Sequence, residues 1–138
     1  MKLKPFLIGG LAAAVAGFFL GFLWYAVLFD GYYKTDVSEL ISKGEGEMNY
    51  FFLVGGFVVS GLAMAYLYSR TDLPYTMGTG FLFGAVAGML PGLGAALTAY
   101  ATSKVISLQG IGMETLWGIV CFGTMGAIIA KAYDRYDE

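Results

Sequence analysis

Charged residues divide the chain into four long apolar segments, the longest of which covers residues 73–103 without one Asp, Glu, Lys or Arg. A helix rises about 1.5 Å per residue, so about 20 apolar residues cross the roughly 30 Å hydrocarbon layer of a bilayer. The pattern therefore predicts a single domain, residues 1–138, of an all-α integral membrane protein. Its four transmembrane helices are predicted at about 5–29, 49–69, 76–103 and 113–133.

The connections between these helices differ in length. In the first connection, Asp36 and Glu39 have the spacing of a capping box that opens a short helix, and we expect residues 36–43 to lie along the membrane surface. The second connection, residues 71–74, is very short, which predicts that the second and third helices are antiparallel neighbours.

Small residues recur at every fourth position in the third predicted helix. Steps of four stay on one side of a helix, and residues this small allow another backbone to approach closely. We call this stripe the glycine seam and interpret it as a helix-packing surface. The glycine seam consists of Gly80, Gly84, Gly88, Gly92 and Ala96.

The first helix carries a similar stripe. Shifting it by 75 positions places Gly9, Ala13, Gly17 and Gly21 on Gly84, Gly88, Gly92 and Ala96. The chain thus resembles two tandem helical hairpins with the same orientation, although segments of similar composition can also match by chance. If the repeat is real, we expect the first and third helices to pack centrally, with the second and fourth outside.

The composition of the chain supports its assignment as a membrane protein, and the distribution of its basic residues predicts the orientation. Hydrophobic residues make up 58% of the chain and charged residues 13%, outside the usual range for a soluble domain. The amino terminus superficially resembles a signal peptide, but the uncharged span of 25 residues, 5–29, is too long for the apolar region of one. Trp24-Tyr25 also stands where small residues would precede a cleavage site, so we expect a retained first helix. Basic residues favour both termini in the cytoplasm. The terminal side carries Lys2, Lys4, Arg70, Lys131 and Arg135, and the other side Lys34, Lys43 and Lys104.

Few residues of the chain have side chains suited to catalysis or metal binding. The chain has no histidine and one cysteine, Cys121, so we predict no catalytic residues, no metal site and no cofactor. The scattered basic residues also argue against nucleic acid as a partner. Three candidate functional residues remain: Asp30, Pro91 and Glu114. Their alternative roles are structural, as a turn residue, a helix kink and a helix-start residue.

At residues 24–31, Trp-Tyr-Ala-Val-Leu-Phe-Asp-Gly, the chain resembles the DUF1761 family of small bacterial membrane proteins. In that family a first helix ends in a Trp-Tyr-Ser-Pro-Leu-Phe-Gly-like segment and three more helices follow. Trp24, Tyr25 and Phe29 are the matching positions, while Ala-Val replaces the Ser-Pro pair. The resemblance implies a multi-pass inner-membrane protein with no established activity. The three aromatic residues anchor the chain at the headgroups or recognise a ligand.

Three functions fit these observations. The first is a non-enzymatic protein that acts by helix association, as a homo-oligomer or as a subunit of a larger membrane complex, with membrane lipids as its surroundings. Gly118, Gly126 and Ala130 on the fourth helix support it, since they are more small residues than one bundle needs. The second is a small permease or channel with its path between the two hairpins. The third, a membrane-embedded enzyme acting on lipids or quinones, ranks last because clustered acids, bases and metal ligands are absent from the sequence.

Overall fold

The computed structural model describes residues 2–33, 43 and 45–136, and all regular structure in these residues is helical, with no strand. The predicted surface helix at 36–43 lies almost wholly outside the described residues. In chain order the α-helices are α1 Leu3–Phe22, α2 Asp30–Tyr33, α3 Tyr50–Tyr68, α4 Met77–Gly88, α5 Ala95–Thr102 and α6 Leu108–Tyr136. The remaining helical segments are two π-helices, Leu23–Leu28 and Leu90–Gly94, and a 3₁₀-helix, Glu45–Glu47.

Four continuous helical stretches are long and apolar enough to cross a membrane, which confirms the predicted all-helical chain with four such helices. We call them the first to fourth spans. They are Leu3–Leu28, Tyr50–Tyr68, Met77–Thr102 and Leu108–Tyr136. The fourth span begins earlier than the predicted residue 113, because the Ser107 hydroxyl accepts a hydrogen bond from the Gly110 N–H (3.1 Å) and supports a first helical turn there.

The fourth span lies at the centre of the fold. Of its apolar stretch 44% is buried, against 28%, 17% and 28% for the first, second and third spans. The first and third spans both pack against it, and the second span packs mainly against the first. The prediction that the first and third spans pack centrally is therefore wrong. The physical reason is that small residues of the fourth span, such as Gly118 and Gly126, admit the backbone of the third span, while small residues of the first span, such as Gly9 and Gly17, admit side chains of the fourth.

The second and third spans scarcely touch along their lengths, so they are not the packed neighbours that their short connection suggested. They meet at one end, where the Tyr68 ring lies 5.2 Å from Phe83 and 6.0 Å from Tyr133. The buried Tyr68 hydroxyl donates to the Pro74 carbonyl oxygen (2.9 Å), which satisfies a polar group that would otherwise be costly to bury. This aromatic contact ties three spans together at the end where the chain begins and finishes.

Candidate functional site

The glycine seam of the third span lies against the backbone of the fourth span. A Cβ atom added at Gly92 would stand 2.7 Å from the Glu114 carbonyl oxygen, and one at Gly80, Gly84 or Gly88 would overlap a carbonyl oxygen outright. The facing pairs are Gly80 with Gly126, Gly84 with Phe122, Gly88 with Gly118, and Gly92 with Glu114. Ala96, the last member of the stripe, is buried. Two backbones thus touch over about four helical turns, as close-packed membrane helices do.

The small residues of the first span meet side chains more than backbone. A Cβ at Gly9 would lie 3.1 Å from the Ala132 Cβ, and one at Gly17 would lie 2.9 Å from the Met125 sulfur. Ala13 is fully buried between these positions. Gly21 faces Phe57, whose ring atom Cζ would lie 3.3 Å from an added Cβ. Toward the fourth span, the first span is therefore packed through interdigitating side chains, and less closely than the third span. Toward the second span its backbone comes just as near, since a Cβ added at Gly61 would overlap the Gly10 carbonyl oxygen.

The two stripes also contact the fourth span at different heights. Gly9 faces Ile129, whereas its repeat equivalent Gly84 faces Phe122. Seven residues separate those contacts, which corresponds to roughly 10 Å along the helix. The first and third spans are therefore offset from each other along the fourth span, and the two stripes do not make equivalent contacts with it.

The small residues of the fourth span have a different role from the predicted one. An added Cβ at Gly118 would overlap the Gly88 carbonyl oxygen, and one at Gly126 would overlap that of Gly80. Ala130 is buried, with its Cβ beside Gly80. These residues receive the third span, so they are not a surplus surface for association.

A carboxylate and four aromatic rings meet at the opposite end of the bundle from the chain termini. The Tyr25 hydroxyl donates to Glu114, at 3.2 Å from Oε2 and 3.5 Å from Oε1. The Trp117 ring lies 5.3 Å from Tyr25 and 5.6 Å from Trp24, and Trp24 lies 4.6 Å from Phe29. Trp24 is buried, and the other four residues are half-buried. We call Trp24, Tyr25, Phe29, Glu114 and Trp117 the Glu114 cluster.

Two π-helical segments flank this cluster. The segment Leu23–Leu28 carries Trp24 and Tyr25 and ends where the Phe29 N–H donates to the Trp24 carbonyl oxygen (3.1 Å). The segment Leu90–Gly94 brings Gly92 against the Glu114 backbone. π-Helical turns are rare and are often found at functional sites, where they redirect side chains.

Pro91 explains the second π-helical segment. Proline has no N–H to donate to the preceding turn and its ring crowds that turn, so a regular α-helix cannot pass through it. The wider turn is closed instead by the Gly94 N–H, which donates to the Met89 carbonyl oxygen five residues back (2.9 Å). Pro91 itself is exposed and lies outside the Glu114 cluster.

In the structure, Trp24, Tyr25 and Phe29, the positions that match the DUF1761 motif, thus lie around the candidate residue Glu114. Asp30 follows directly as the first residue of α2 and is half-buried. Trp117 was missed by sequence reasoning, because a tryptophan within an apolar helix carries no periodic signal. Its position three residues after Glu114, on a neighbouring turn, is the one clue that the sequence offers.

Among residues 2–33, 43 and 45–136, no group of three or more His, Cys, Asp or Glu side chains is placed to hold a metal ion. Comparison of the chain with protein-family models, with curated proteins and with solved structures finds no match. A functional assignment therefore depends on the arrangement of the spans and of the Glu114 cluster.

Proposed function

We propose that this chain is a multi-pass protein of the bacterial inner membrane, with both termini in the cytoplasm. It acts without catalysis, by association of its helices with a second copy or with another membrane subunit. The four apolar spans, the excess of basic residues on the terminal side and the resemblance to the DUF1761 family support the location. Fusion of a periplasm-dependent reporter to either terminus tests it, and an active reporter would contradict the proposed orientation.

The proposal of association is based on the outer face of the second span. This span is the least buried of the four. Gly55 and Gly56 lie away from the ends of this helix, and a Cβ added at either position would meet nothing within 4 Å. Phe52, Gly56, Val59 and Ala63 are all exposed and, at steps of four, three and four, share the face turned away from the bundle.

A glycine pair at this position favours a helix partner. Glycine lowers the stability of a helix interior by roughly 0.5–1 kcal/mol relative to alanine. In the glycine seam of the third span, that loss is offset by close backbone packing against the fourth span. In lipid, helices associate by packing at small residues, because the hydrophobic effect does not drive them together. The open glycines of the second span therefore fit a helix supplied by another chain.

Disulfide cross-linking in membranes tests this surface. In a Cys121→Ala background, Ala63→Cys places a thiol on the outer face of the second span, and Leu82→Cys places one on the third span, where Leu82 is 66% exposed. We expect oxidation to give cross-linked dimers with Ala63→Cys and not with Leu82→Cys. Adding Gly56→Leu should abolish the dimer, since it fills the open face at a position where a Cβ meets no atom of the bundle within 4 Å.

The same experiment separates the two kinds of partner. A cross-link between Ala63→Cys and a different membrane protein, with no dimer, supports the role of a complex subunit. A protein that forms neither product in its native membrane, while remaining folded, would contradict association through this face.

A second candidate function, a small permease or channel, is favoured by the half-buried Glu114 between two π-helical segments. The packing between the hairpins leaves such a path little room, since a Cβ at Gly9 would lie 3.1 Å from Ala132. Among the described residues no buried polar side chain lines it. Solute flux into liposomes that is lost with Glu114→Gln and with Pro91→Ala would favour this function over association.

A further inference from the structure

Two basic side chains lie over the same tyrosine ring at the end of the bundle where the chain begins and finishes. The Lys4 Nζ atom is 4.8 Å from the centroid of the Tyr136 ring, and the Arg135 Cζ atom is 5.7 Å from it. Both distances are within the roughly 6 Å over which an aromatic ring attracts a cation. Lys4 belongs to the first turn of the first span and Arg135 to the last turn of the fourth. We call Lys4, Arg135 and Tyr136 the Tyr136 cluster.

The two charges of the Tyr136 cluster are not paired with an acid among residues 2–33, 43 and 45–136. One turn earlier on the fourth span, by contrast, the Lys131 ammonium is paired with Asp134 at 2.8 Å. Lys4 and Arg135 are both exposed. Two like charges beside one ring repel each other, and an anionic group between them offsets that repulsion. The cluster therefore favours an anion.

The helix ends at this point do not decide the preference. α1 begins at Leu3 and α6 ends at Tyr136, so a helix start that favours an anion lies beside a helix end that disfavours one. The two contributions have opposite signs and similar size. The attraction for an anion is therefore due to the two basic side chains.

The position of the Tyr136 cluster selects a lipid as the source of the anion. Lys4 and Arg135 lie at the ends of two apolar spans. Basic side chains and tyrosine rings at such ends reach the level of the lipid headgroups. A phospholipid presents its phosphate at that level and is held there by its acyl chains. Its effective concentration at the cluster is thus far higher than that of an ion from solution.

We propose that the Tyr136 cluster binds, between Lys4 and Arg135, the phosphate of one phospholipid whose headgroup has a net negative charge. The lipid bridges the first and fourth spans at this end. Tyr136 is a positioning residue, because its ring holds the two cations near each other. This inference rests on the membrane location under the proposed function, but not on association through the second span.

Retention of defined lipids by the purified full chain tests the inference. Phosphatidylglycerol and phosphatidylethanolamine with identical acyl chains are added in equal amounts in detergent, and native mass spectrometry counts each lipid retained. One basic residue near anionic lipid contributes an attraction equivalent to about fivefold in binding. We expect phosphatidylglycerol to be retained at least about fivefold more than phosphatidylethanolamine. Equal retention by the unmodified protein would overturn the proposal without any variant.

Variants of the three residues separate charge from packing. Lys4→Gln and Arg135→Gln should each lower the preference for phosphatidylglycerol about fivefold, whereas Lys4→Arg, which keeps the charge, should leave it within about twofold. Tyr136→Leu should also lower the preference although both charges remain, and Tyr136→Phe, which keeps the ring, should not. Unchanged retention of phosphatidylethanolamine is the control that these variants remain folded. A preference that survives Lys4→Gln combined with Arg135→Gln would contradict the assignment.

Arg70→Gln is the matched control for charge at the same end of the bundle. Arg70 lies beside a different tyrosine ring, that of Tyr66, at 5.1 Å from its centroid. This variant should change the preference by less than about twofold, since it leaves the Tyr136 cluster intact. The same loss with Arg70→Gln as with Lys4→Gln would show that the overall charge of this end attracts the lipid, which overturns a site at Tyr136.

The acidic residues that follow Tyr136 in the sequence give a test of opposite sign. Asp137 and Glu138 lie within about 7 Å of Tyr136 along the chain, so their negative charges oppose binding of an anion. Asp137→Asn combined with Glu138→Gln should therefore raise the preference for phosphatidylglycerol. Failure of the preference to rise would contradict attraction by charge at this position.

Inorganic phosphate distinguishes a lipid from a soluble anion. If millimolar phosphate at constant ionic strength displaces phosphatidylglycerol, the cluster recognises free phosphate and the lipid assignment is wrong. A monomer that prefers phosphatidylglycerol supports this inference while contradicting association. Equal retention by a chain that stays in the membrane during alkaline extraction contradicts the lipid site alone, so this proposal and the proposed function fail separately.

Discussion

Replacing Gly84 with alanine should destabilise the fold more than any other single added methyl group on the third span. The new Cβ would overlap the Phe122 carbonyl oxygen and approach the Gly123 Cα to 3.0 Å. Neither atom belongs to a flexible side chain, so the third and fourth spans must move apart by on the order of 1 Å. A gap of that size removes roughly a quarter to a half of the dispersion attraction across the contact.

The expected loss is about 3 kcal/mol, at the upper end of the usual range for overpacking, because backbone meets backbone. Such a loss lowers the ratio of folded to unfolded protein by roughly a hundredfold. Gly78→Ala is the matched control on the same helix, since a Cβ there meets nothing within 4 Å. It should be neutral or stabilising by up to about 1 kcal/mol, because alanine favours the helix.

Cys121 provides the assay for this comparison. It is the single cysteine of the chain and is fully buried on the fourth span, so a maleimide dye reacts with it when the bundle opens. On heating in detergent, Gly84→Ala should react roughly 10 °C below the unmodified protein. Reaction of Gly84→Ala and Gly78→Ala at the same temperature would refute the close packing of these two spans.

Three further results are expected, two for thermal stability in the same assay and one for the reactivity of Cys121 in native membranes. Tyr68→Phe should lower stability by about 1 kcal/mol, because it removes the hydrogen bond that the buried hydroxyl donates to the Pro74 carbonyl oxygen. Lys131→Ala should change stability by less than about 0.5 kcal/mol, since its 2.8 Å ion pair with Asp134 is exposed and screened; a loss above about 1 kcal/mol would show an unrecognised packing role. In native membranes Cys121 should resist alkylation until the protein is unfolded, and rapid alkylation would contradict its burial.

The sequence was sufficient to place the four spans, because a long uncharged segment in lipid must satisfy all its backbone hydrogen bonds internally. A helix does this within the segment itself. It was not sufficient to arrange them. The spacing of Gly80, Gly84, Gly88 and Gly92 defines one face of the third span but does not identify the helix that faces it. The partner is the fourth span, whose complementary residues Gly118 and Gly126 looked like a separate surface when considered alone.

Most members of the candidate site were predictable from the sequence, but Trp117 and the assembly of the site were not. Trp24, Tyr25 and Glu114 were singled out for separate reasons, and 89 positions separate the last two. Their contact depends on the fourth span packing against the first, and on a π-helical turn that changes the direction of Tyr25. That turn contains no proline or glycine, so it leaves no local mark in the sequence.

Extraction of cell membranes with alkaline carbonate tests the central claim most directly, because it strips peripheral proteins and leaves proteins that span the bilayer. If the four apolar spans cross the membrane, the full chain stays with the membrane pellet and is released by detergent. Recovery of the folded chain in the carbonate supernatant would contradict the account.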